Sequence, residues 1–535
     1  MITSTIRSAR RIERLAAIPF VIAILAALSL RISLAPSAAA GAKDEPKKPK
    51  ITVGAETTYV TGPLDEEGYV DYVAALNQRM SKGVKTERNG AVPLWRAFGP
   101  KPEGAPIPVP FWKWLGIDAP PAKGDYYVPI FDYFKKHAAI DPGKEFNGVL
   151  ADLDAATACL WRPREYPVVA GWIMVNSKPL DLIVEATQRP QYFSPLVPIG
   201  ADRRLAFCIL SGVNRCRESA QALTSRALLR AGEGRLDSAW QDLLAVHRLG
   251  RQIARGGCAL EGLAGRLIDG VAAKGDLVFL EQAKLDAKTL RRCLRDLEAL
   301  PPMPAMAEKI GLCERFVFLD LVASIARDGA SAAEAVLLRG APIPVEARAD
   351  QLLKGMKWDI VLKRGNRWFD RVAATFAKDP PARVKEMEAI DTDLKAVGAR
   401  IIPETAGKLL KDTLERRAEF AADVGVALFL SSLTRLIQAS DRAEQVQRNG
   451  RIAFALAIYK SDHGAYPKTL GALVPKYLAT VPGDFFTGKD LVYRPSETGY
   501  LFYSLGPNGK DDGGRWFDDD PPGDDPGVRM PRKKR

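Results

Sequence analysis

An apolar run from Leu15 to Leu30, interrupted only by Pro19 and Ser29, stands directly behind four arginines, Arg7, Arg10, Arg11 and Arg14. A segment that is apolar on every face cannot lie on the surface of a water-soluble fold, because it has no polar side to present. Arg31 ends the run, and the small residues Ala35-Pro36-Ser37-Ala38-Ala39-Ala40-Gly41-Ala42 follow in an A-x-A arrangement. A charged start, an apolar middle and a small-residue cleavage site are the parts of a signal peptide. The run is a little long for that purpose and short of the roughly 20 residues of a full membrane span. Residues 1–40 therefore read as a signal peptide cut after Ala40 or as a retained anchor within residues 15–34. In both readings the positive end stays inside and the remainder is translocated. The expected location is exported: periplasmic or cell-envelope. No cysteine lies near the cleavage site, which excludes a lipid-anchored N-terminus. Residues 41–50 read as a polar, proline-containing linker.

The 535 residues carry 77 Lys and Arg against 64 Asp and Glu, a net charge of +13. The basic residues are scattered among acids, as in Arg291-Arg292-Cys293-Leu294-Arg295-Asp296, and no block pairs dense basic residues with aromatics. A nucleic-acid partner is not expected. Six cysteines, Cys159, Cys208, Cys216, Cys258, Cys293 and Cys313, contain no C-x-x-C pair, which argues against zinc ribbons and redox motifs. Bridged and free thiols both stay open, since a chain of this length does not need disulfides for stability.

Beyond the linker the pattern is mostly α. Residues 51–200 are rich in proline and aromatics and read as short helices and loops, with a helix over 69–80. Phe111-Trp112-Lys113-Trp114 reads as a loop packed on the core by its rings. Residues 201–439 read as a helical domain. Leu236, Trp240, Leu243, Leu244 and His247 share one helix face, and a preceding helix ending at Gly232-Glu233-Gly234 completes a hairpin. Helices are expected over 288–300, 305–328 and 384–399, broken by Pro301-Pro302 and Pro380-Pro381. The apolar stretch 421–437 carries Asp423 and Arg435, so it reads as a buried core helix rather than a membrane span.

Three histidines, His137, His247 and His463, fall in no metal-ligand pattern. No nucleophile elbow, Walker loop or dinucleotide-binding glycine motif occurs. His247 reads as a helix histidine at the edge of the core. Dispersed carboxylates leave no motif, so acid/base chemistry is disfavoured rather than excluded.

The C-terminal stretch says most. A helix over 442–461 ends at His463-Gly464, with glycine placed for a C-cap. Tyr466-Pro467, the Leu470, Leu473, Tyr477, Leu478 series, Pro482 and Asp484 follow. Two strand-like runs come next, 491–493 and 500–503, then Ser504-Leu505-Gly506-Pro507-Asn508-Gly509-Lys510-Asp511-Asp512-Gly513-Gly514. This order of features resembles the C-terminal half of the major pseudopilin of type II secretion systems, over about residues 440–515. The chain as a whole resembles large exported bacterial proteins. It departs from a pseudopilin in lacking the short leader, the processing glycine and the helix glutamate, and Asp484-Phe485-Phe486-Thr487-Gly488 replaces the family's D-P-W-G. A filament subunit is therefore not expected. The resemblance implies a small α+β module, 440–515, and a calcium site in its end loop. The available oxygens are Asn508, Asp511, Asp512 and Asp518, which could wrap an ion that takes six to eight of them. Residues 516–535 read as an acidic and then basic disordered tail.

The expected function is a non-enzymatic, envelope-located scaffold or interaction protein associated with a secretion or pilus-like assembly. The competing reading is a periplasmic hydrolase acting on cell-wall or polysaccharide substrate. That reading calls for two carboxylates facing each other across a cleft.

Overall fold

Proline and glycine set most of the element boundaries. The computed structural model describes residues 50–137, 142–198, 203–208, 212–329, 351, 353–400, 411–517 and 519–532. The expected signal peptide or anchor and most of the linker lie outside them. In the first third the helices are short: α1 (Tyr72–Ser81), α2 (Ala91–Phe98), α3 (Val109–Leu115), α4 (Ile130–His137), α5 (Pro142–Ala156), α6 (Pro167–Val175) and α7 (Ser177–Gln188). Asp71 caps α1 by accepting the Ala74 N–H at 2.8 Å. The expected loop at 111–114 is instead the body of α3. Proline in the first turn forfeits no helical hydrogen bond, and Gly116 in the left-handed region stops the helix. The rings are packed as expected: Phe111 lies 4.7 Å from Trp95, edge to face.

The middle holds α8 (Val213–Gly232), α9 (Leu236–Ala254), α10 (Ala259–Gln282) and α11 (Ala287–Glu298). Helices α9 and α10 meet backbone to backbone. A Cβ on Gly250 would lie 2.5 Å from the Gly265 carbonyl oxygen, and one on Gly265 would lie 2.2 Å from that of Gly250. Then come α12 (Met306–Lys309), a π turn (Ile310–Glu314), α13 (Arg315–Asp328), α14 (Trp358–Thr375), α15 (Pro380–Gly398) and α16 (Leu414–His463). Pro380-Pro381 do not break a helix but open α15, capped by Asp379. Helix α16 runs unbroken for 50 residues, about 75 Å. The separate helices expected at 421–437 and 442–461 are one, because no proline interrupts the stretch. The expected boundary at 439/440 therefore falls inside a helix.

Three strands follow: β1 (Val492–Pro495), β2 (Tyr500–Tyr503) and β3 (Gly527–Met530), antiparallel in the order β1-β2-β3. Tyr503 stands opposite both Val492 and Gly527. Strand β3 corrects the expectation of a disordered tail. Val528 and Met530 are buried while Gly527 and Arg529 face out, the alternation of a half-buried strand. Beyond it, Arg532 donates to Glu281 of α10 at 2.7 Å.

Among the described residues three apolar cores result. One joins α2–α7 to α8–α10. A second joins Ile51 and α1 to α13–α15 and the first half of α16, including Val426, Leu430 and Ile437. The third joins α8–α11 to the last third of α16 and the sheet. Residues 50–535 accordingly form one compact unit. None of the described helices is long and apolar enough to cross a membrane. No disulfide joins the six cysteines, and Cys216, Cys258, Cys293 and Cys313 are buried.

Trp240 of α9 sits at the centre of the third core, fully buried. Its ring stacks on Phe279 at 6.1 Å and meets Phe454 of α16 at 5.7 Å, while Nε1–H donates to Asp296 at 2.8 Å. Trp240→Ala should lower the unfolding free energy of the full chain by about 3–5 kcal/mol, since it removes a buried ring and leaves a cavity. Denaturant titration followed by circular dichroism measures this, and an unchanged midpoint would contradict the packing.

Candidate functional site

The loop between β2 and β3 is organised from below by Asp484. Its Oδ1 accepts from Phe486 N and Ser504 Oγ, both at 2.8 Å, and its Oδ2 accepts from Leu505 N at 2.9 Å. The carboxylate thus joins the Pro482-Gly483-Asp484 turn to the Ser504-Leu505-Gly506 start of the loop. Gly506 is at φ 64°, and a Cβ there would lie 2.2 Å from the Asp524 carbonyl oxygen, so the two ends of the loop touch backbone to backbone.

This closure gathers three carboxylates. Asp512, Asp524 and Asp525 each place an oxygen within 4.8 Å of the others'. Asp525 is fully buried; its Oδ2 accepts the Gly514 N–H at 2.9 Å. Its Oδ1, and the Oδ1 of Asp524, are buried with no hydrogen-bond partner among the described residues. Burial, with the neighbouring Asp512 charge, pushes the Asp525 carboxyl up to about 6 and raises that of Asp524. Arg515 stands 3.9 Å from Asp512, too far for a hydrogen bond. Arg442, lying over the Phe517 ring, exerts its charge on Asp524. Two orphaned carboxylate oxygens beside a third carboxylate fit a hard, oxygen-seeking cation, with backbone carbonyls and water completing its shell.

Of the four residues expected here, Asp512 is in the cluster. Asn508 borders it as a donor, through its backbone N–H to Asp524 and its Nδ2 to Asp512, both at 3.3 Å. Its Oδ1 is turned to Lys510 N at 2.6 Å. Asp511 is not one of the three. Its Oδ1 accepts from Tyr503 Oη and Gly513 N, both at 2.8 Å. Asp518 lies outside the described residues. Asp524 and Asp525 escaped sequence reading because acidic residues around Pro521-Pro522-Gly523 look like tail. The signal that could have found them is the alternation of Val528 and Met530 just beyond, which marks a strand and so a returning turn.

The interior holds a second cluster. Asp269 and Asp276, seven apart on α10, flank His247 of α9, with Nδ1 2.6 Å from Asp269 Oδ1 and Nε2 2.9 Å from Asp276 Oδ2. Arg251 also donates to Asp269, and to the Pro301 carbonyl at 2.8 Å. His247 is thus inside the core and not at its edge, because two carboxylates compensate its burial. With acceptors at both nitrogens the ring is an imidazolium. Burial alone would lower its pKa, but the two aspartates outweigh that and lift it to about 9.

A groove of about 450 Å³ opens between α2 and α7, lined in part by Glu87 and Glu185. Glu185 is engaged by Arg189 at 2.5 Å, and its side chain is 48% exposed. The pair does not form the desolvated, facing carboxylates that the hydrolase reading calls for. Comparison with known protein families, with curated proteins and with solved structures gave no match.

The His247 cluster predicts a pH dependence. A histidine whose folded pKa is above its unfolded value of about 6.5 adds stability that is complete below that value. The contribution is lost as pH rises through about 9. The unfolding free energy should therefore fall between pH 6.5 and 9. His247→Gln, which leaves Asp276 buried without its counter-ion and Asp269 with Arg251 alone, should cost about 3–5 kcal/mol at neutral pH. Denaturation of both proteins across that range tests the pair; a flat wild-type profile would sink it.

Proposed function

We propose that this chain is a non-enzymatic scaffold or interaction protein of the cell envelope, and that its C-terminal sheet is held in its working form by calcium. The observation that carries the calcium reading is the pair of buried, unpartnered oxygens of Asp524 and Asp525 beside Asp512. The bound ion would neutralise three converging carboxylates. It would tie the Gly-rich loop to the residues immediately ahead of β3. The scaffold reading is supported by the continuous packing of α8–α11, α16 and the sheet, which presents the sheet and its loop on a rigid body. The envelope location is supported by the arginine-flanked apolar run, and association with a secretion or pilus-like assembly by the resemblance of 440–515 to a pseudopilin.

Calcium should raise the melting temperature of the full chain relative to chelator. A ligand that binds only the folded state stabilises it by about 2.7 kcal/mol at a hundredfold excess over Kd. Magnesium should substitute poorly, because it holds its waters and demands octahedral geometry. Asp512→Asn should abolish the shift, whereas Asp511→Ala should keep it while losing the Tyr503 and Gly513 bonds. Since the Asp525 carboxyl titrates at about 6 without metal, the calcium effect should fade as pH drops through that value. Identical scans in calcium and chelator would remove the ion from the proposal.

The location has its own test. Alkaline phosphatase fused to the C-terminus should be active in cells, and deletion of residues 1–40 should silence it. Activity that survives the deletion would count against export through this segment.

A further inference from the structure

The groove between α2 and α7 is lined by two glutamates, two arginines and three apolar side chains among others. On α2, every residue except Arg96 is buried. Val92, Pro93 and Arg96 line the groove together with Leu182 and Glu185 of α7 and Arg189, the extended residue just past the end of α7. Thr86 and Glu87, in the turn Thr86–Arg88, also line it. The walls are fixed in advance. Asn89, buried, accepts from Ala91 N at 3.0 Å and Phe193 N at 2.9 Å, and a Cβ on Gly90 would lie 2.7 Å from the Ala186 carbonyl oxygen. Arg189 is committed on two sides, to Glu185 at 2.5 Å and to the Glu87 carbonyl oxygen.

With that pair neutralised, two opposite charges stay available. Neither the Arg96 guanidinium nor the Glu87 carboxylate has a hydrogen-bond or ion-pair partner among the described residues. Val92, Pro93 and Leu182 supply the apolar floor of the same groove. The volume of about 450 Å³ is of the size that small-molecule sites occupy. We propose that this groove binds a small zwitterion with an aliphatic body, an α-amino acid such as leucine. Arg96 takes the carboxylate, for which its planar fork is matched. Glu87 takes the ammonium group, and the floor takes the side chain. A simple anion would meet Glu87 unpaired, and a simple cation would meet Arg96.

Equilibrium dialysis of the full chain against labelled leucine tests this, with 4-methylpentanoate, isopentylamine and glycine as competitors. Each competitor lacks one of the three features and should compete at least tenfold more weakly than unlabelled leucine. Arg96→Gln should weaken leucine binding at least tenfold while leaving isopentylamine binding unchanged. Because Arg96 is exposed, its melting temperature should match the wild type. Three results would overturn the proposal: no retention of leucine at millimolar concentration, competition by the fragments equal to that by leucine, or wild-type affinity in Arg96→Gln.

Discussion

The contact of Trp240 with Phe279 and Phe454 joins what the sequence order keeps apart. Phe454 belongs to α16 and lies more than two hundred positions after Trp240, yet its ring meets the indole edge to face. Around this point the C-terminal sheet packs on α11 and the ends of α8–α10, with Phe502, Val528 and Met530 in the same core. The sheet therefore has no separate interior. Only four residues long in each strand, it would be marginal alone. Resting on a helical stack, it gains a rigid floor, and the loop that gathers Asp512, Asp524 and Asp525 inherits that rigidity.

Buried charge complements the apolar junction. Asp242 of α9 receives Arg226 at 2.7 Å and Arg230 at 2.6 Å from α8, and His247 with Arg251 meets Asp269 and Asp276 from α10. Such pairs contribute little net free energy compared with apolar residues of the same shape, but each is costly to break singly. Their effect is on register. If α8, α9 or α10 slid by one turn, a carboxylate would be left in the core without a partner. Gly250 and Gly265 act in the same direction, since their backbones approach closely at only one relative position.

Much of the helical architecture was legible from periodicity. The α9 face, the hairpin with α8, the glycine stop at Gly464 and the first two strands all follow from spacing and cap chemistry. What spacing could not reveal was anything set by distant partners. Asp269 and Asp276 look like ordinary helix aspartates until His247 is placed between them. The single helix through 439/440 was hidden because a drop in hydrophobicity reads as a boundary, although only proline would have enforced one. Strand β3 is four residues behind an acidic, proline-rich turn, and its order comes from pairing with β2. At the site, Asp512 was legible from the glycine-rich loop. Its partners Asp524 and Asp525 were not, because chain reversal at Pro521-Pro522-Gly523 is a tertiary fact.

The segment that follows residue 49 packs far along the chain. Thr52 N bonds Asp359 at 2.8 Å across 307 positions, and Glu56 and Thr57 accept from Asn366. Ile51, Tyr72 and Leu76 share their core with Phe316, Phe369 and Ile437. At roughly 5–20 residues per second of synthesis, the partners of these residues appear only after some tens of seconds. The front of the compact unit thus waits for partners some three hundred positions later. Through that interval its apolar side chains face solvent or a chaperone, so the first residues of the unit to emerge are not the first to be buried.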